Sequence, residues 1–257
     1  MSNTPLILDQ MSREFVKCGD LLVRFSELED VLSRYASPLL FYDYDLRDEL
    51  GDYALSFGGS CAHIDYRTRR FVVATTHQID GRSPGDVGLY DPDAASICTC
   101  SEHKSYEFDQ MQGTLETKDI EIFGFSGATR SGRLTQHVWF KVSPAYGDFS
   151  VDEICSVIIV GYPASIQSWD VDAAHVKLRP FSLVANFAGK GDSDYLKATV
   201  DEDLDVDPNG LSGAPVFFIL CKHEQFRVEL AGIVATAGKR IVQFIPFTFA
   251  MPLLNLK

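Results

Sequence analysis

The stretch Asn209-Gly210-Leu211-Ser212-Gly213-Ala214-Pro215 runs directly into the apolar residues Val216-Phe217-Phe218-Ile219-Leu220. A serine set between glycines, with a proline two residues past the second, reads as a tight bend leading into a buried strand. Glycine reaches backbone conformations that other residues resist, and proline stiffens the exit. The bend holds the Ser212 hydroxyl in place. It also allows the backbone N–H groups of Gly210 and Ser212 to point the same way, and such a pair of donors can hold the oxyanion of an acyl transfer.

A serine hydroxyl needs a base within hydrogen-bond reach, and the base needs an orienting carboxylate. Six histidines are available. His77 stands out because it ends the apolar run Phe71-Val72-Val73-Ala74-Thr75-Thr76, which follows the alternating strand Cys61–Tyr66 and the basic turn Arg67–Arg70. That is a hairpin pattern with an imidazole at its end. Asp93, Asp109, Asp119 and Asp152 are the candidate acids. His63, His103, His137, His175 and His223 read as structural. The order His, Asp, Ser excludes an α/β-hydrolase elbow, which needs its acid and histidine after the serine. No aspartate follows Ser212, and position 214 is alanine.

Together these motifs resemble the trypsin-like serine peptidases of the chymotrypsin fold, in the style of non-secreted bacterial members. Val72-Val73-Ala74-Thr75-Thr76-His77 is similar to the family's histidine strand, and Gly58-Gly59-Ser60-Cys61 to the start of the strand before it. Gly161-Tyr162-Pro163 and Ala231-Gly232-Ile233-Val234-Ala235 extend the likeness over roughly residues 53–250. The resemblance implies an all-β fold of two antiparallel β-barrels with a short helical and strand extension in front. It implies an extension over 1–50, a first barrel over 51–147 and a second over 148–257. It also implies a triad of His77, Asp119 and Ser212, an oxyanion hole at Gly210 and Ser212, and substrate pairing along Ala235-Thr236-Ala237.

Two departures are plain. Leu211 stands where secreted trypsins carry the acid that pairs with a freshly cut N-terminus. Gln78 stands where a cysteine usually follows the histidine, so the disulfide beside the base is missing. Asp205 and Asp207 leave two readings open: a pocket floor favouring a basic side chain, with Asp207 as a substrate contact, or a solvated acidic loop. The missing zymogen device leaves room for an activating protein partner, with the acidic N-terminal segment as its docking surface.

Composition fits this picture. The chain has 257 residues, 46% of them hydrophobic, with 18 Phe and 10 Tyr, enough for a sizeable core. Short strands punctuated by turn clusters favour an all-β sandwich or barrel pair. A short helix is expected from Phe25 to Tyr35, capped by Ser26. The net charge of −13 argues against nucleic acid and anionic membrane as partners, leaving a peptide or protein substrate. The start Met1-Ser2-Asn3-Thr4-Pro5 lacks the pattern of a secretion signal, and the six cysteines read as reduced thiols, so a cytoplasmic location is expected. Neither cofactor nor metal is expected. Cys98, Cys100 and His103 have the wrong spacing for a zinc finger, and Pro208 with no closing glutamate breaks a calcium-loop reading of Asp203–Asp207. The rival function is a catalytically silent trypsin-like fold used as a binding or sensor module.

Overall fold

The computed structural model describes residues 14–43, 55–79, 81–91, 93, 96–106, 119–143, 147–170, 175–192 and 194–256. A hairpin, β1 (Phe15–Cys18) and β2 (Leu21–Arg24), comes first, followed by the short helix α1 (Leu28–Ser33). The first curled sheet contains β3 (Ala36–Tyr42), β4 (Leu55–Tyr66), β5 (Arg69–Ala74), β6 (Val87–Asp91), β7 (Ser96–Thr99), β8 (Glu102–Ser105) and β9 (Glu121–Gly124). Its strand order is β7-β6-β3-β4-β5-β9-β8. Helix α2 (Ser126–Arg130) and β10 (Phe140–Lys141), paired with β4, complete this half.

The second half opens with β11 (Ile154–Gly161) and a small hairpin of β12 (Ser168–Asp170) and β13 (His175–Lys177). β14 (Phe181–Lys190), β15 (Leu196–Thr199), β16 (Pro215–Lys222), β17 (Gln225–Ala237) and β18 (Ile241–Pro246) follow. The order β16-β11-β14-β15-β18-β17 closes on itself because β17 also pairs with β16. Closure removes the edges of those six strands, and the sheet's remaining edge is β2, reached through β1 on β17. The architecture is the expected one, a chymotrypsin-like pair of β-barrels. Helix α3 (Ala250–Asn255) comes after β18. Among the described residues, no helix is long and apolar enough to cross a membrane.

Two hairpin turns show how local sequence sets register. Tyr66 pairs with Arg69, so the basic turn is only Arg67-Thr68, with φ of 51° and 65°. Lys222 pairs with Gln225 across His223-Glu224, with φ of 50° and 63°. Two-residue turns with positive φ match the right-handed twist of the strands they join.

Two expectations need correction. The described part of the 1–50 extension, residues 14–43, does not simply pack on the barrels. β3 is a strand of the first sheet between β4 and β6, and β1 lies parallel on β17, extending the second sheet. The run Ala36–Phe41 is buried at every position, so it must be covered on both faces. The helix starts at Leu28 rather than after Ser26. Phe25–Glu27 form a 3-10 turn, and Glu27 at the N-cap makes no side-chain cap bond. Leu28 and Leu32 are buried, as the spacing predicts. Helix α3 is not legible as an amphipathic repeat. Pro252 sits in its first turn, where no intrahelical N–H partner is needed, and Ala250, Leu253 and Leu254 are buried.

Three apolar clusters organise the interior. One fills the first barrel around Phe41, Phe123 and Phe125, and one fills the second around Phe218 and Phe244. The third joins the barrels and takes in the β1–β2 hairpin, α1 and α3. Phe217 is fully buried in it, its ring 5.3 Å from Phe140 and 6.4 Å from Tyr35. Phe217→Ala should lower stability by about 3–5 kcal/mol. Urea denaturation measures this, and an unchanged midpoint would contradict a core shared by both barrels.

Candidate active site

Sheet register brings the base and the acid together. Ala74 at the end of β5 pairs with Glu121 at the start of β9. His77 lies just past the first strand end and Asp119 just before the second strand begins, so both project from the same rim. Asp119 holds His77 twice. The His77 backbone N–H donates to Asp119 Oδ1 at 3.0 Å, and Nδ1 lies 2.7 Å from Oδ2. A carboxylate accepts, so the Nδ1 proton points at Asp119 and Nε2 is left with its lone pair. The imidazole is about half exposed. Its Nε2 lies 3.3 Å from Thr75 Oγ1.

The serine bend links β15 to β16 and is fixed by its backbone. Leu211 N–H donates to Pro208 O at 2.9 Å, Gly213 N–H to Val234 O at 2.8 Å and Ala214 N–H to Leu211 O at 2.9 Å. The N–H groups of Gly210 and Ser212 donate to no described residue. They alternate with bonded neighbours, as a preformed pair of donors would. Gly210 takes φ of 96°, and a Cβ there would lie 2.8 Å from both Ala164 N and Tyr162 O. The Ser212 hydroxyl donates to Ala235 O at 3.3 Å, and no hydrogen bond joins it to His77.

Two residues that the sequence did not mark as functional carry the seam between the halves. Ser60 N–H donates to Ser212 O at 3.0 Å, while Ser60 Oγ donates to Gly210 O at 2.7 Å and accepts from Tyr162 N–H at 2.8 Å. Gln78 is buried and bonds to β4, to Thr75 and to the serine bend. The missing cysteine at position 78 was the one signal available, and it said nothing about what replaced it.

The other expected positions are distributed around this centre. β16 stops pairing with β17 at Pro215 opposite Ile233, leaving Thr236 and Ala237 paired on one side only, with β18, while Ala235 falls at a register shift between them and Val234. Thr236 is exposed and Ala235 buried. Asp207 is exposed, and its carboxylate accepts from Asn209 N–H at 3.0 Å, a local turn bond. In the same run Asp203 pairs with Arg240, while Leu204 packs against the second barrel's cluster. Leu211 is 1% exposed within that cluster.

His63, His103, Cys98 and Cys100 make no hydrogen bond to the triad, and the rival acid Asp109 lies outside the described residues. Cys98 is buried, Cys100 Sγ donates to Pro84 O, and His103 bonds Glu121. Among the described residues, no three potential metal ligands converge. His63 is buried against Trp139, with Nε2 at 2.7 Å from Ser37 Oγ. Burial first, then the neighbouring His137, holds His63 well below the ordinary histidine range, so it stays neutral. It borders a cavity of about 360 Å³, lined also by Ser37, His137 and Tyr162. None of His77, Asp119 and Ser212 lines that cavity.

No family model matches the chain, and no curated protein matches it. Among solved structures it is similar to human heparin binding protein, at 13% identity and a TM-score of 0.53, over 87% of this chain and 92% of that one. A mutant of the same human protein aligns at 15% identity and a TM-score of 0.50, over 79% of this chain and 88% of that one. Identity this low speaks to the fold alone, which is the chymotrypsin-like two-barrel fold.

The burial of Leu211 has a direct consequence. Leu211→Asp places a carboxylate in an apolar cluster and should lower stability at pH 7 by about 3–5 kcal/mol. Burial raises the folded-state pKa of that carboxyl above its unfolded value of about 3.9. The variant is therefore most stable below the unfolded value and loses stability as pH rises through the folded one. Denaturation midpoints at pH 5 and pH 8 check this. A variant equally stable at both would contradict the apolar setting.

Proposed function

We propose that this chain is a serine endopeptidase of the non-secreted, trypsin-like kind, acting on extended peptide segments. The observation that carries the reading is the double hold of Asp119 on His77 beside a serine bend whose Gly210 and Ser212 N–H groups donate to no described residue. Ser212 Oγ attacks the peptide carbonyl while His77 Nε2 takes its proton and later returns it to the leaving amine. Asp119 keeps Nδ1 protonated and stabilises the imidazolium. The N–H groups of Gly210 and Ser212 stabilise the oxyanion, and losing one such donor typically costs about 10²–10³ in rate. For the attack, the Ser212 hydroxyl turns from Ala235 O toward His77. Catalytic hydrogen bonds commonly tighten only once substrate is bound.

Thr236 and Ala237 offer an unpaired strand edge to which a substrate backbone adds as a further strand. The exposed Asp207 is spent on its own turn, which favours the solvated-loop reading over a pocket floor. Leu211 packs the bend from within, which favours a site formed without an activating partner. All six cysteines are free thiols, in keeping with a reducing, cytoplasmic setting.

The second reading is a silent binding module. It draws on the Ser212 hydroxyl bonding to Ala235 rather than His77, and on a structural neighbour named for binding heparin. A heparin-like polyanion suits this chain poorly, since its net charge is −13.

A fluorophosphonate probe separates the two readings. The peptidase account expects one adduct on Ser212, abolished in Ser212→Ala and reduced at least 10³-fold in His77→Ala. Adduct mapping by mass spectrometry checks both. Equal labelling of wild type and His77→Ala would refute the assigned base.

A further inference from the structure

The strongest unassigned device in the molecule is a side chain that touches neither the proposed nucleophile's hydroxyl nor the imidazole. Gln78 directly follows His77 and is 9% exposed. Its Oε1 accepts from Thr75 N–H at 2.8 Å and from Thr75 Oγ1 at 2.9 Å. Its Nε2 faces Gly58 O at 3.0 Å, Ser60 O at 3.0 Å and Ser212 O at 2.9 Å. The partners fix the amide's orientation, because a backbone N–H only donates and a carbonyl only accepts. One amide therefore spans the His77 turn, strand β4 and the serine bend. It is also closely enclosed: a Cβ on Gly213, where φ is 78°, would lie 2.5 Å from Oε1.

We infer that Gln78 is a positioning residue that fixes the His77 turn and the Ser212 bend relative to each other, doing with hydrogen bonds what a covalent crosslink could do at this place. The consequence for catalysis rests on the peptidase reading. The consequence for the order of the two loops does not. An apolar side chain of equal size would keep the packing and strip the donors from buried carbonyls, so the two roles separate experimentally.

Two full-length variants test this. Gln78→Met keeps length and volume and removes every side-chain hydrogen bond. Gln78→Glu keeps an acceptor for Thr75, and only while protonated does its single O–H donate, to one of the three carbonyls. A buried carboxyl facing carbonyl oxygens holds its proton above the solvated glutamate value of about 4.3. Its contribution is then present below that value and lost as pH rises through the higher folded-state one.

The readouts are hydrogen–deuterium exchange of peptides covering 75–79 and 209–214, and the rate of fluorophosphonate labelling. Gln78→Met should exchange at least 10-fold faster in both segments and label about 10²-fold more slowly, the scale of an ~1 Å misplacement. For Gln78→Glu, exchange and labelling taken as ratios to wild type at each pH should lie closer to one at pH 5, where a single donor is kept, and approach the Met values at pH 8. If Gln78→Met does not fold, Gln78→Glu across the same pH range decides the matter. Wild-type exchange in Gln78→Met, or flat ratios in Gln78→Glu, would overturn the inference. Unlabelled wild type with the exchange effects intact would defeat the peptidase reading while supporting the positioning role. Labelled wild type with exchange and labelling unaltered in both variants would do the reverse.

Discussion

The carbonyl of Ser212 accepts two hydrogen bonds, from the Ser60 backbone and from the Gln78 amide, and the site depends on this junction. Ser60 belongs to the first sheet and Ser212 to the bend that opens the second barrel's β16. Each bond is worth only about 1 kcal/mol net, but leaving a buried partner unmet costs about 1–3 kcal/mol. The junction is therefore specific as well as stabilising. The peptide planes that carry the Gly210 and Ser212 N–H groups are held through their own carbonyls, Asn209 O accepting from Ala164 N–H at 2.8 Å and Leu211 O from Ala214 N–H at 2.9 Å. Ser60 Oγ holds the Gly210 carbonyl from the same strand. The two N–H groups at the bend that donate to no described residue follow from what holds the carbonyls around them.

Apolar packing supplies the second constraint. Leu211 is buried in the second barrel's cluster, so the bend is anchored from below by a hydrocarbon side chain. An ion pair at that depth must first overcome the desolvation of both charges, whereas leucine carries no such penalty. Above the bend, the exposed acids of the 201–207 loop face solvent while Leu204 packs inward. Charge and packing thus separate by side along a single loop.

How much of this was legible in the sequence depends on the range of the interaction. The serine bend is a local pattern of glycine, serine and proline, and it was read directly. His77 was visible because an apolar strand ends on it, and Asp119 because it opens the next strand of similar form. Their meeting depends on the register of β5 against β9, which the motif order supported without specifying. Gln78 was noticed only as the absence of a cysteine, since an amide reaching three distant carbonyls leaves no periodic trace. The parallel seating of β1 on β17 and the docking of α3 depend on contacts between chain ends, which spacing cannot express. Ser26 looked like a helix cap, but a 3-10 turn displaced the helix start beyond it. For Asp207 the sequence leaves both a pocket floor and a solvated loop open, because the bond from Asn209 N–H that closes its turn has no motif of its own.

The central claim is that Ser212 Oγ, His77 Nε2 and the N–H groups of Gly210 and Ser212 converge on one reacting carbon. A crystal structure of the protein treated with a peptide boronic acid tests it most directly. The account predicts a tetrahedral boronate bonded to Ser212 Oγ, one boronate oxygen within hydrogen-bond distance of both N–H groups, and His77 Nε2 in contact with the adduct. Boron bonded to another residue, or bonded to Ser212 with the imidazole and the two N–H groups out of reach, would contradict it.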